Sequence, residues 1–71
     1  MSAVRKRSVT IRGHRTSYSL EEAFQEELEK VAASRSIPVA ALVASIDETR
    51  PRDTNLSSAL RLFVLNAVRK A

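Results

Sequence analysis

Residues 39–46 read V-A-A-L-V-A-S-I. A helix over this stretch, predicted from about Pro38 to about Thr49, is apolar nearly all round and has to be covered on most of its sides. The chain has 71 residues, and a domain of that size has little core with which to cover anything. Small domains meet the shortage with disulfides, a bound metal or oligomerisation. There is no cysteine, which removes disulfides and thiolate metal sites. The single histidine, His14, makes a metal site only if several of the chain's carboxylates converge on it, and no metal and no cofactor is expected. Self-association remains, and a hydrophobic content of 44% fits it. The expectation is a homodimer in which a second copy covers Leu42, Val43 and Ile46.

The charge is unevenly placed. Arg5, Lys6, Arg7, Arg12 and Arg15 fall within residues 1–19, where there is no acid. Glu21, Glu22, Glu26, Glu27 and Glu29 then follow, against Lys30 and Arg35. A cationic end of this kind is the electrostatic footprint of a polyanion partner. Residues 1–7 read as a basic arm and residues 8–71 as one domain. No apolar run approaches the roughly 18 residues of a membrane span, and no apolar signal core follows the basic start. A cytoplasmic protein without a membrane partner is expected.

From Ser8 to Ser19, Val9 and Ile11 alternate with Ser8, Thr10 and Arg12, and Thr16 and Tyr18 alternate with Arg15, Ser17 and Ser19. Period-two alternation with β-branched residues marks strands. The only glycine, Gly13, lies between the halves, and Gly13-His14 suits a two-residue turn with glycine first. That turn pairs Arg12 with Arg15 and Val9 with Tyr18. One long strand kinked at Gly13 is the alternative. Either way Val9, Ile11, Thr16 and Tyr18 share one face, and Thr10, Arg12, Arg15 and Ser17 the other.

Ser19 and Glu22 have capping-box spacing, which starts a first helix at about Leu20 and carries it to about Arg35. Leu20, Phe24, Leu28, Val31 and Ala32 form its apolar stripe. Ser34 to Pro38 breaks it, because the residue before a proline is pushed out of the helical region. After the second helix comes the linker Arg50-Pro51-Arg52-Asp53. Thr54 or Asn55 then caps a third helix, from about Leu56 to about Lys70. Leu62, Leu65 and Val68 give that helix more apolar surface than one buried stripe needs.

The run T-S-Y-S-L-E-E-A-F-Q-E-E-L-E-K-V-A-A-S-R-S-I-P-V-A-A-L-V resembles the ribbon-helix-helix family of bacterial DNA-binding proteins over roughly residues 15–49. The strings K-R-S-V-T-I-R-G-H-R-T-S and N-L-S-S-A-L-R-L-F-V are similar to a small single-domain subfamily. The resemblance implies a mainly α fold with a short N-terminal β element, a strand or hairpin, and three helices. It also implies an intertwined homodimer whose two-stranded ribbon enters the major groove of double-stranded DNA. Arg15, Ser17, Arg12 and Thr10 become base contacts. Arg5, Lys6, Arg7 and the amides of Val39 and Ala40 become phosphate contacts. Tyr18, Phe24, Leu28, Leu42, Val43 and Ile46 become the dimer core. Ser19 also faces outward, but capping competes for it.

Many family members carry serine or threonine where this chain has Pro38, and a polar residue where it has Ala40, so side-chain help to the phosphate is missing. Two hairpins side by side span about 19 Å at about 4.8 Å per strand, against a groove about 12 Å wide. The outer strands then ride the phosphate rims, and which strand is central stays open.

Asp47, Glu48 and Asp53 are too scattered for acid–base work, and no phosphate loop or nucleophile motif occurs. A non-enzymatic transcriptional regulator, a repressor, is therefore expected. The alternatives are an antitoxin of the same fold, or a protein-interaction module that docks a partner or a further copy through the third helix.

Overall fold

A computed structural model describes residues 3–70; positions 1 and 2 of the expected arm, and position 71, lie outside the described residues. The chain runs β1 (Val4–Ile11), β2 (His14–Glu21), α1 (Glu22–Ser34), α2 (Val39–Thr49) and α3 (Leu56–Lys70). This is the mainly α class, with an N-terminal hairpin and three helices. β1 begins at Val4, so Arg5, Lys6 and Arg7 lie inside a strand and not in an arm ahead of it. Among the described residues no helix is long and apolar enough to cross a membrane.

The strands pair antiparallel from Ile11↔His14 out to Val4↔Glu21. The turn is Arg12-Gly13, not the expected Gly13-His14. Arg12 has φ 52° and Gly13 φ 80°. A type I′ turn needs positive φ at both central positions and favours glycine at the second. That arrangement leaves Arg12 strained by roughly 1–2 kcal/mol. Moving the turn by one residue moves every cross-strand partner by two, and a two-residue shift leaves each side chain on its own face. Val9, Ile11, Thr16 and Tyr18 therefore share the inner face as expected, although Val9 now lies opposite Thr16 and Tyr18 opposite Arg7.

Ser19 and Leu20 stay in β2, and α1 starts two residues later than expected. Leu20 is wholly buried there as a strand residue. The capping box does not form: Glu21 is the N-cap, with no side-chain cap bond. The Glu22 carboxylate instead accepts from Arg7 Nη2. At the other end of α1, Ser36 sits at φ 57°. The Ile37 N–H donates to Ala32 O and the Ser36 N–H to Ala33 O, each at 3.0 Å. These are the two bonds of a Schellman motif, in a position usually held by glycine.

The core gathers Ile11, Tyr18, Leu20, Leu28, Ala32, Leu42, Val43, Ile46, Leu56, Ala59, Leu60 and Val64 from all five elements. Leu42 and Val43 of α2 have no exposure, and Ile46 has 7%. One chain thus covers them, with α1, α3 and β1 packed against α2. The premise that a second copy must cover them is corrected. The exposed positions of α2 are Ala40, Ala41, Ser45, Glu48 and Thr49, and an alanine shows water little more than a methyl. The helix is apolar by count but amphipathic by area. α3 supplies much of the cover through Leu56, Ala59, Leu60 and Val64. Its cap is Asn55, whose Oδ1 accepts the Ser58 N–H at 2.8 Å.

Candidate nucleic-acid interface

Alternation along the hairpin sends Val4, Lys6, Ser8, Thr10, Arg15, Ser17, Ser19 and Glu21 away from the core face. The first six are exposed; Ser19 and Glu21 are half-buried beside α3. Lys6 and Arg15 supply the positive charge of this outer face, and Ser8, Thr10 and Ser17 supply hydroxyls. Its acid, Glu21, is neutralised by Arg61, whose Nε donates to Glu21 Oε1 at 2.8 Å. That hydrogen bond holds the Glu21 carboxyl below its usual range. The result, Val4 apart, is a polar surface with cations and, among the described residues, no unpaired carboxylate, suited to polyanion binding.

Of the expected base contacts, Arg15, Ser17 and Thr10 come together here, with Arg15 directly opposite Thr10. Arg12 does not join them. It sits in the turn, and its Nη2 pairs with Glu48 at 2.6 Å near the end of α2. Of the expected phosphate contacts, Lys6 lies on this face. Arg5 and Arg7 have the opposite parity and converge on Glu22, at 3.5 and 3.2 Å. The Arg7 Nε is buried and, among the described residues, without a partner. Ser8, opposite Ser17, is a member of the face that sequence reasoning passed over, though its parity with Thr10 signals it. His14 opens β2 opposite Ile11 instead of lying in the turn.

Tyr18, Leu28, Leu42, Val43 and Ile46 are buried within the single chain, and Phe24 is partly buried against them. At the start of α2 the Pro38 carbonyl accepts the Ala41 and Leu42 N–H groups at 3.0 and 3.2 Å. The preceding amides, of Val39 and Ala40, have no acceptor among the described residues, and no side chain caps this end.

β1 covers one edge of β2. With a two-residue loop, Ile11↔His14 is the closing hydrogen-bonded pair, and alternate pairs along the ladder do not bond each other. The backbone groups of Arg15, Ser17 and Ser19 consequently point to the other edge of β2. The Ser19 N–H confirms this by donating to Ser57 Oγ of α3 at 2.9 Å. Among the described residues, nothing pairs with the outward groups of Arg15 and Ser17. A bare strand edge of this kind is a template for another strand.

A polar, cationic β-ribbon leading straight into a helix pair defines the class of proteins that present strands, not a helix, to DNA. A family model described as a ribbon-helix-helix domain matches residues 4–68. The chain belongs to the ribbon-helix-helix family, a family of DNA-binding regulators. No curated protein and no solved structure matches it.

Proposed function

We propose that this protein is a sequence-specific transcriptional regulator, a repressor, that binds double-stranded DNA as a homodimer. The observation that carries the proposal is the state of β2. Its outer face is exposed at Arg15 and Ser17, which bring a positive charge and a hydroxyl, and its free edge offers unpaired groups at the same two residues. Two β2 strands joined along that edge form a central ribbon, with each β1 outside it. The central pair, about 10 Å across with side chains omitted, fits a groove about 12 Å wide.

Arg15 is then placed to pair with guanine through two prongs, and Ser17 to donate to or accept from a base edge. Ser8, Thr10 and Lys6 flank them on β1, with Lys6 toward the phosphate rim. The Val39 and Ala40 amides hold a phosphate at the α2 start, without side-chain help. Arg5, Arg7 and Arg12 have carboxylate partners of their own and are not part of this reading.

Selection of bound sequences from random duplexes tests the proposal. A defined site with two-fold symmetry supports it. Recovery of unenriched sequences, with affinity that only falls steeply as salt rises, defeats sequence reading.

A protein-docking role for α3 has one observation in its favour: Leu62, Leu65 and Val68 are all exposed in the folded chain. A dimer that still leaves them in water would hold an apolar patch of the kind that marks partner surfaces.

A further inference from the structure

We propose that α3 sets the register in which two β2 strands pair, centring the ribbon on Thr16. This rests on the ribbon reading above. The outward backbone groups of β2 belong to Arg15, Ser17 and Ser19, and two antiparallel registers about a two-fold axis pair both Arg15 and Ser17 within that set. Centred on Ser17, the ribbon pairs Arg15 with Ser19 of the second copy, and the Ser19 N–H has to donate across the axis. Centred on Thr16, it pairs Arg15 with Ser17 of the second copy, and Ser19 is not used.

The chain has already taken Ser19 out of play. Its N–H donates to Ser57 Oγ at 2.9 Å. One turn further along α3, Arg61 Nε is bonded to Glu21 Oε1 at 2.8 Å. An added strand runs about 4.8 Å from its neighbour, and beside Ser19 and Glu21 that lane is filled by the start of α3. Among the described residues, Arg15 and Ser17 alone keep an open edge on β2, which is the pairing the Thr16-centred register requires.

Both registers present the same side chains, since they differ by two residues. The spacing is what changes. At about 3.4 Å per residue, the two copies of Arg15 are offset by about 7 Å along the strands in the Thr16-centred ribbon, and by about 14 Å in the other. With one base pair per about 3.4 Å, bases read by the two arginines lie about two base pairs apart instead of about four.

The chain has no cysteine, so single-cysteine variants report the register cleanly. In the Thr16-centred ribbon the two Thr16 residues oppose each other in a non-hydrogen-bonded pair, about 4.5 Å between Cα atoms. The two Ser17 residues are then diagonal, about 8 Å apart, beyond the roughly 7 Å a disulfide tolerates. The test uses full chains carrying Thr16→Cys or Ser17→Cys, mildly oxidised where sedimentation shows the wild type to be dimeric. The expected result is a covalent dimer from Thr16→Cys and loss of cross-linking in Ser17→Cys. Cross-linking of Ser17→Cys, alone or equally with Thr16→Cys, overturns the register while leaving the ribbon standing. Cross-linking of neither, or absence of any dimer, overturns the ribbon reading and this inference with it.

Discussion

The Tyr18 hydroxyl donates a 2.9 Å hydrogen bond to Gln25 Oε1, joining β2 to α1 inside the core. Gln25 is 4% exposed, and its own Nε2–H donates to Glu29 Oε2 at 3.0 Å. Across the hairpin, Arg7 lies opposite the same tyrosine. A short polar chain therefore runs through an otherwise apolar junction of strand and helix.

Tyr18→Phe keeps the ring and strands the Gln25 oxygen. A buried acceptor left unmade costs about 1–3 kcal/mol, and urea unfolding reads that loss. Burial, the largest influence, pushes the Tyr18 phenol above its ordinary value of 10.0, with Arg7 pulling the other way. The folded state then holds this proton more tightly than the unfolded state. Its contribution is complete below pH 10 and is lost as pH rises through the folded value. Stability measured from pH 9 upward should fall more steeply in the wild type than in Tyr18→Phe.

The Glu21–Arg61 pair works on the acid side. The hydrogen bond from Arg61 lowers the Glu21 value from 4.5. A lowered carboxyl stabilises the fold above the unfolded value, and the effect fades as pH drops through the folded one. Arg61→Gln should lower the neutral plateau slightly and flatten the fall in stability below pH 4.5, so that variant and wild type converge in acid. A profile identical to wild type would remove the pair from the account.

Ser36 ends α1 at φ 57° without being glycine. A left-handed conformation costs an ordinary residue about 1–2 kcal/mol, part of which glycine returns as unfolded-state entropy. Ser36→Gly should raise stability by about 0.5–1 kcal/mol, and Ser36→Val should lower it. Thermal melts of the three proteins, side by side, decide the order.

Leu60 of α3 has no exposure. Truncating a buried leucine costs about 2–5 kcal/mol, a large share of what a chain this short can hold. Leu60→Ala should be largely unfolded by circular dichroism. A well-folded Leu60→Ala would mean that α3 is not needed to cover α2.

The arginines separate by face. Arg15→Ala should cost about 1–3 kcal/mol of specific DNA binding and relax the preferred base at its position. Lys6→Ala should weaken binding to all sequences and reduce the salt slope by about 1.8, about 0.9 for each of the two copies in the dimer. Arg7→Ala should leave base preference alone and lower stability, because its guanidinium holds Glu22. Base preference lost in Arg7→Ala and kept in Arg15→Ala would invert the assignment of faces.

Much of this arrangement is legible along the chain. Period-two alternation assigned Val9, Ile11, Thr16 and Tyr18 to one side, and an error of one residue in the turn did not disturb it, because pairing shifts by even steps. The third helix runs between the predicted ends, Leu56 and Lys70, with Asn55 as its cap, since capping is a contact between residues three apart. The ribbon-helix-helix resemblance rests on the same local patterns, and the family match spans residues 4–68. These features depend on φ/ψ preferences and near neighbours, which sequence order specifies directly.

What folding alone decided involves residues far apart in the chain. Ser19 has the spacing of a cap, yet it remains a strand residue with its amide on Ser57, 38 positions away. Arg7 and Arg12 look like free cations in the sequence and find Glu22 and Glu48 only once the hairpin lies on the helices. Leu42 and Val43 look as if they need a second chain and are sealed by their own. Charge pairing and burial depend on distance in space. Spacing along a polypeptide carries that information only within a turn or a strand, so the alternation of faces could be read in advance and the partners of these residues could not.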